Sequence, residues 1–215
     1  MLTIAPWIHS ILEAFNVAPQ VKLRPEDSNP FGSSYSHWSM KWWQWLLGIP
    51  KQVNPAFDHN GIYAEAGQVS DEVFFLCQTI EGTERVPTRS LRMRYGSSIF
   101  MPVLNWVSVR GSDGNTDEDL QQVAKKRMNL ISKLNVIING ETLRGSEIYR
   151  FQSPLFDVIL PEENILDVKP GNTRFFSDGY WIFTEPIFDN IELSTLGSCS
   201  AGITRIGVNY SITIR

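Results

Sequence analysis

The stretch ITRIGVNYSITI, residues 203–214, puts Ile206, Val208, Tyr210, Ile212 and Ile214 on alternate positions, with Gly207, Asn209, Ser211 and Thr213 between them. Successive side chains of a strand point to opposite faces, so this pattern describes a strand with one apolar and one wet face. Working back toward the N-terminus, the runs 188–196, 173–184, 155–160, 147–151, 98–109, 89–94 and 72–80 are short and rich in Val, Ile, Leu and Phe. Turn residues punctuate them. Val136-Ile137-Ile138 leads into Asn139-Gly140, and an Asn-Gly pair after an apolar run is the signature of a two-residue hairpin turn. Eight or more short strands predict a mainly β chain. The expected architecture is an antiparallel β-sandwich, jelly-roll-like in its arrangement.

Two segments of the body break the β pattern. In SSYSHWSMKWWQWLLGIP, residues 33–50, Tyr35, Trp38, Trp42, Trp45 and Leu46 share one helical face. Ser33 or Ser34 can cap the start, and Gly48 and Pro50 end it. This predicts a Trp-rich helix that plugs one end of a core, with Trp43 off the stripe and partly exposed. A second amphipathic helix is expected around 116–133, from the spacing of Leu120, Val123, Ala124, Leu130, Ile131 and Leu134. Asp117, Glu118 and Asp119 in its first turn and Lys125, Lys126 and Arg127 later complement the helix dipole.

Residues 1–15, MLTIAPWIHSILEAF, carry Ile4, Trp7, Ile8, Ile11, Leu12 and Phe15 at helical spacing. They have no Lys or Arg before the apolar part, which argues against a secretory signal and for a helix docked on the body or on a second copy. Residues 17–33 hold three prolines and read as a linker arm. The expected organisation is an N-terminal amphipathic helix and arm over 1–33, then one β-sandwich domain over 34–215.

Composition removes several function classes. Nineteen Lys and Arg stand against 23 Asp and Glu, a formal net charge of −4. No cationic field is available to neutralise phosphates, so nucleic acid is not an expected partner. No apolar run approaches the ~18 residues of a membrane span. Cys77 and Cys199 are too few for a disulfide scaffold, and Cys77, beside Phe74, Phe75 and Leu76, reads as a core thiol.

Motifs for chemistry are also missing. His9, His37 and His59 lack metal-ligand spacing, and no metal or cofactor is expected. Asp113, Asn115 and Asp117 begin like a calcium loop. Glu118 then stands where the loop needs Gly, and Ala124 where it needs Glu. Residues 197–202, GSCSAG, lack the register of a nucleophile elbow and read as a turn between the last two strands. Asp58, in Asp58-His59-Asn60-Gly61, reads as a turn aspartate. Asp178-Gly179-Tyr180-Trp181 reads either as a bulge or as a strand-borne ligand contact.

A set of motifs spread over residues 35–214 resembles a family of uncharacterised bacterial and archaeal proteins, many of them exported. The set begins with Trp42-Trp43-Gln44-Trp45, Ile49-Pro50, Asn54-Pro55, Asp58, Gly61 and Gln68. It continues through Phe100-Met101-Pro102-Val103, Asn105, Tyr149-Arg150 and Ser153-Pro154, and closes with Asp178-Gly179-Tyr180-Trp181 and Val208-Asn209-Tyr210. The family has no established activity, so the resemblance implies no function. It does imply that Ala64 and Leu91 stand where exported members carry a cysteine pair. The loss of that disulfide points to a reducing compartment, and a cytoplasmic location is expected.

The function expected from the sequence is non-enzymatic: a β-sandwich that binds a partner or a small polar ligand, with a glycan as one candidate, or that self-associates through the N-terminal helix. Gln44, Asn54, Asp58, Gln68, Asn105, Asp178 and Tyr180 are the candidate ligand contacts. A hydrolase using Asp58 or Asp178 on a concave sheet face, and a structural component of a surface layer or particle shell, are the alternatives.

Overall fold

The computed structural model describes residues 21–80, 85–199 and 205–215, over which ten strands and two α-helices are arranged as one helix, three strands, a second helix and seven strands. They are α1 (Tyr35–Gly48), β1 (Val73–Phe75), β2 (Thr88–Met93), β3 (Ser98–Val109), α2 (Asp117–Met128), β4 (Ile131–Ile138), β5 (Glu141–Thr142), β6 (Tyr149–Gln152), β7 (Phe156–Leu160), β8 (Gly171–Phe183), β9 (Ile191–Cys199) and β10 (Arg205–Ile214). The predicted helix over residues 1–15 lies outside the described residues.

The strands form two five-stranded sheets. In the first, β1 pairs with β3, β3 with β8, and β6 and β7 follow one another along β8. In the second the order is β2-β10-β9-β4-β5. The mainly β, two-layer expectation holds, but the sheets are mixed: β1–β3 and β2–β10 run parallel. Both parallel pairs place a short strand at a sheet edge, brought in by a long connection instead of a hairpin.

The first sheet is apolar on both faces, since β3 is buried along nearly its whole length. One face packs on the second sheet: Ile99, Met101, Val103 and Ile182 meet Val136, Leu193, Val208, Tyr210 and Ile212. The alternate residues face α1, where Tyr35, Trp38 and Trp42 pack with Phe75, Phe100, Trp181 and Phe183. Phe100 and Trp181 stack with centroids 4.8 Å apart and planes 6° apart. The Trp-rich helix therefore covers a sheet face where the sequence reading had it plug an end. A sheet that is apolar on both sides needs a cover on both.

Helix α1 starts at Ser34, whose Oγ accepts from the His37 N–H. Its C-terminal carbonyls are served by Asn54, whose Nδ2 donates to Leu46 O at 2.7 Å and Ile49 O at 3.0 Å. Helix α2 opens with a reciprocal Thr116–Asp119 capping box. It ends at Met128, five residues before the expected 133, because Ile131 onward enters β4 and pairs with β9. The Asn139-Gly140 turn is present, with φ of 50° and 84°, between β4 and β5. Gly197, Ser198 and Cys199, expected in a turn, belong to β9. The proline-rich arm is anchored: Arg24 N–H donates to Phe183 O at 2.8 Å, and Tyr35 Oη donates to Arg24 O at 2.8 Å.

Candidate functional site

Strand β1 pairs with β3 only at Ser98–Phe100 and stops. Gln68 holds that end, its Oε1 accepting from the Phe75 N–H and its Nε2 donating to Phe75 O, both at 2.9 Å. Beyond it, Pro102 brings no N–H, and the register of β3 on β8 shifts between Pro102 and Leu104. The bulge lies here, and Asp178-Gly179 pairs regularly with Trp106 and Asn105. Leu76 N–H makes the last backbone bond to β3, to Phe100 O at 3.2 Å; farther on Gln78 reaches across, its Nε2 donating to Val103 O and to Thr195 Oγ1. The uncovered stretch of β3 borders a cavity of about 420 Å³.

Trp42, Trp43 and Leu46 of α1 form one wall of this cavity, Leu104, Trp106 and Val107 of β3 another. Trp43, expected to be partly exposed, is only 5% exposed. It packs edge-on against Trp42 with centroids 4.9 Å apart, so the residue next to the stripe lines the space beside it. Gly179 of β8, opposite Asn105, makes room for that lining residue. A Cβ there would come within 2.9 Å of Asn105 Cα and closer still to its Cβ, so only glycine lets the Asn105 side chain lie across the strand pair.

Four of the eight buried side-chain atoms left without a partner among the described residues belong to the cavity wall. Trp43 Nε1, Thr79 Oγ1, Asn105 Nδ2 and Trp106 Nε1 are buried and have no partner among the described residues, and all four residues line the cavity. Such a group costs about 1–3 kcal/mol when left unserved. Elsewhere on α1 the indoles are paired: Trp38 donates to Pro30 O, Trp42 to Leu76 O and Trp45 to Ala66 O, at 2.8–2.9 Å. Four other atoms (Arg89 Nη2, Ser108 Oγ, Ser177 Oγ and Trp181 Nε1) are unpaired away from this cavity.

Of the residues nominated from sequence, only Asn105 reaches this cavity. Gln44 is exposed on α1 and donates to Asp157 O. Asn54 caps α1, and Gln68 brackets β1. Asp58 is spent on its own turn: Oδ1 accepts from the Asn60 and Gly61 N–H groups, Oδ2 from the Tyr63 N–H. Asp178 is wholly buried in a bidentate pair with Arg150, at 2.9 and 2.8 Å, and accepts from Gln152 Nε2 at 3.0 Å. Its hydrogen bond holds the Arg150 guanidinium above its ordinary pKa. Arg150 also donates to Asn129 Oδ1 at the end of α2 and lies over the Tyr180 ring at 5.8 Å. This cluster docks α2 on the first sheet. The seven nominated residues thus scatter: Gln44, Asn54, Gln68 and Asp178 tie segments together, and Asp58 braces its own turn.

Trp43, Thr79 and Trp106 were missed. For Trp43 a signal existed in the sequence: a tryptophan off the buried stripe, in a chain where every other helical indole had a place. Among the described residues no group of three or more His, Cys, Asp or Glu side chains could hold a metal ion, and no helix is long and apolar enough to cross a membrane. His9 lies outside the described residues.

No family model and no curated protein matches the chain. Among solved structures, a chain in the "Structure of PbICP-C in complex with falcipain-2" aligns over 67% of this chain and 99% of its own length, at 8% identity and a TM-score of 0.27. An overlap that loose adds nothing to the fold or site described above.

Proposed function

We propose that the protein is a non-catalytic binding module whose small-molecule ligand occupies the cavity between α1 and the uncovered part of β3. One observation carries this reading: four buried, unpaired polar atoms belong to residues lining one largely apolar cavity of about 420 Å³. That volume falls within the ~300–1,000 Å³ typical of small-molecule sites, and apolar walls with a few polar groups are their usual make-up. A hydroxyl-rich glycan fits less well, because most of its hydroxyls would face carbon. The hydrolase alternative loses its two carboxylates, which turn amides and Arg150 already engage.

The resemblance read from the sequence gains one supporting detail. Ala64 and Leu91, the positions of the cysteine pair in exported members, both lie in the core between the sheets. Apolar packing there would replace a cross-link, consistent with a reducing compartment. With the free Cys77 and Cys199, the Ala64→Cys/Leu91→Cys double variant carries four thiols; oxidation should close a disulfide and leave two, and four persistent thiols would refute the correspondence.

The binding proposal is tested by a thermal-shift screen of small apolar molecules against the native chain and Ala56→Phe. Ala56 lines the cavity, so the larger side chain fills it. A ligand at one hundred times its dissociation constant adds about 2.7 kcal/mol, a shift of several degrees. Hits that vanish in Ala56→Phe support the reading. A screen with no hits, or hits unaffected by the filling, overturns it.

A further inference from the structure

We infer that the ligand of this cavity is a neutral apolar molecule bearing carbonyl-type acceptor oxygens: a ketone, lactone or quinone. The inference rests on the binding reading above and concerns which chemistry the wall selects.

The direction of the open hydrogen bonds comes first. An indole N–H and an amide NH₂ can only donate, so Trp43 Nε1, Trp106 Nε1 and Asn105 Nδ2 require acceptors; the Thr79 hydroxyl alone can act either way. Two of the wall's other polar atoms are committed within the protein. Gln78 Nε2 donates to Val103 O and Thr195 Oγ1, and Asp113 Oδ2 accepts from the Val109 N–H at 2.9 Å. A ligand that brings only donors leaves the three nitrogens unserved. One that brings carbonyl oxygens serves them without adding a donor of its own to bury.

Charge narrows the class further. Among the described residues no Lys, Arg or His lines the cavity, and Asp113 is the one ionisable residue that does. An anionic ligand would meet that carboxylate with no cation among the described lining residues, an unfavourable burial of charge. A cationic ligand could use aromatic faces. The Trp106 ring, however, already has the Arg127 guanidinium over it at 4.6 Å, and a cation offers the indole N–H groups no acceptor. Neutral acceptors are what remain. The unpaired atoms are shielded from solvent in the ligand-free chain, so small side-chain rotations of the kind common on binding accompany their use.

The test uses the full ¹⁵N-labelled chain and four probes of one shape. These are 2-acetylnaphthalene, 2-ethylnaphthalene, 2-naphthoate and a naphthylmethyl trimethylammonium salt. Trp43→Phe and Trp106→Phe variants assign the two indole N–H resonances. The ketone should move both resonances downfield and bind about tenfold or more tighter than the hydrocarbon, the usual worth of one or two buried hydrogen bonds. In Trp106→Phe that preference should shrink severalfold while the hydrocarbon's own affinity holds, which a merely destabilised cavity would not produce. Hydrocarbon binding as tight as the ketone, or tighter binding by the naphthoate or the ammonium salt, overturns this inference and leaves the binding reading standing. No binding by any probe above the level of Ala56→Phe overturns both.

Discussion

Two places in the core hold polar groups amid carbon, and they treat them oppositely. At one, Arg89 of β2 is 1% exposed, yet its Nε donates to Asp58 O at 2.7 Å. Its Nη1 donates to Cys77 O at 2.6 Å and to Tyr210 Oη at 2.8 Å. Tyr210 Oη in turn donates to Cys77 O at 2.7 Å. Through Nε and Nη1 one guanidinium thus ties together the turn before residue 61, the chain leaving β1, and β10, and only its Nη2 is without a partner among the described residues. At the other, the cavity wall, three nitrogens and a hydroxyl have nothing among the described residues to bond. Groups spent on backbone carbonyls of distant segments are scaffold; groups left open beside an apolar space are available to something else. The two regions should therefore respond to truncation with different size and sign.

The largest effect belongs to Arg89. Arg89→Ala strips acceptors on three segments of their donor and should remove about 3–5 kcal/mol, read as a fall in urea midpoint at unchanged slope. Arg89→Lys should rescue little, because one ammonium cannot span Asp58 O and Cys77 O as the planar fork does. A loss below about 1 kcal/mol for the alanine variant would mean the node is incidental.

Next comes Gly179, which serves the cavity side. Gly179→Ala drives a methyl group into Asn105, an overpacking expected to cost about 1–3 kcal/mol. Asn105→Gly should recover part of that loss in the double variant, since it removes the clashing Cβ. Additive losses would place the strain elsewhere.

These two residues also show what the sequence could and could not disclose. Alternation over 206–214 and the Asn139-Gly140 turn are local signals, and both strand and hairpin are where they pointed. The stripe of Tyr35, Trp38, Trp42 and Trp45 likewise predicted a buried helix. The parallel edge pairs were invisible, because strand order depends on long connections that leave no periodic mark. So was the cavity: it exists because β1 stops at Phe75 and β3 bulges at Pro102, and a strand's end is set by its neighbour's pairing. In sequence the nominated polar residues read as ligand contacts. Most turned out to be internal braces, since a buried Asn, Gln or Asp looks the same in sequence whether it serves a ligand or a carbonyl. Gly179 illustrates the limit: within Asp-Gly it reads as a bulge, whereas its role is to make room for a side chain 74 positions away that only the fold brings opposite.

Alkaline pH separates the regions again, by a smaller amount. Burial raises the Cys77 thiol and the Tyr210 phenol above their ordinary values of 9.0 and 10.0, and both lie at the Arg89 node. An acid whose folded pKa is raised stays protonated in the folded state while the unfolded chain has lost the proton. The folded state then binds more protons, so stability falls as pH rises past 9 to 10. Melts from pH 7 to 11 should show this decline. Tyr210→Phe should lower stability near neutrality by about 1–2 kcal/mol, for its lost hydrogen bonds, and flatten the alkaline slope. An unchanged slope would show that the decline arises outside the node.

The smallest effect is the most discriminating, because its sign opposes that at Tyr210. Trp106→Phe and Thr79→Val each delete a polar atom that has no partner among the described residues and keep most of the apolar shape. Removing an unserved buried group relieves its desolvation, so each variant should leave stability within about 0.5 kcal/mol of the parent or raise it modestly. A loss of 1 kcal/mol or more in urea melts would mean that these atoms are already bonded in solution, to ordered water for instance, and that the wall is another brace. A gain would mean the chain keeps groups that weaken its own fold, a cost that folding alone does not require and that a bound acceptor would offset.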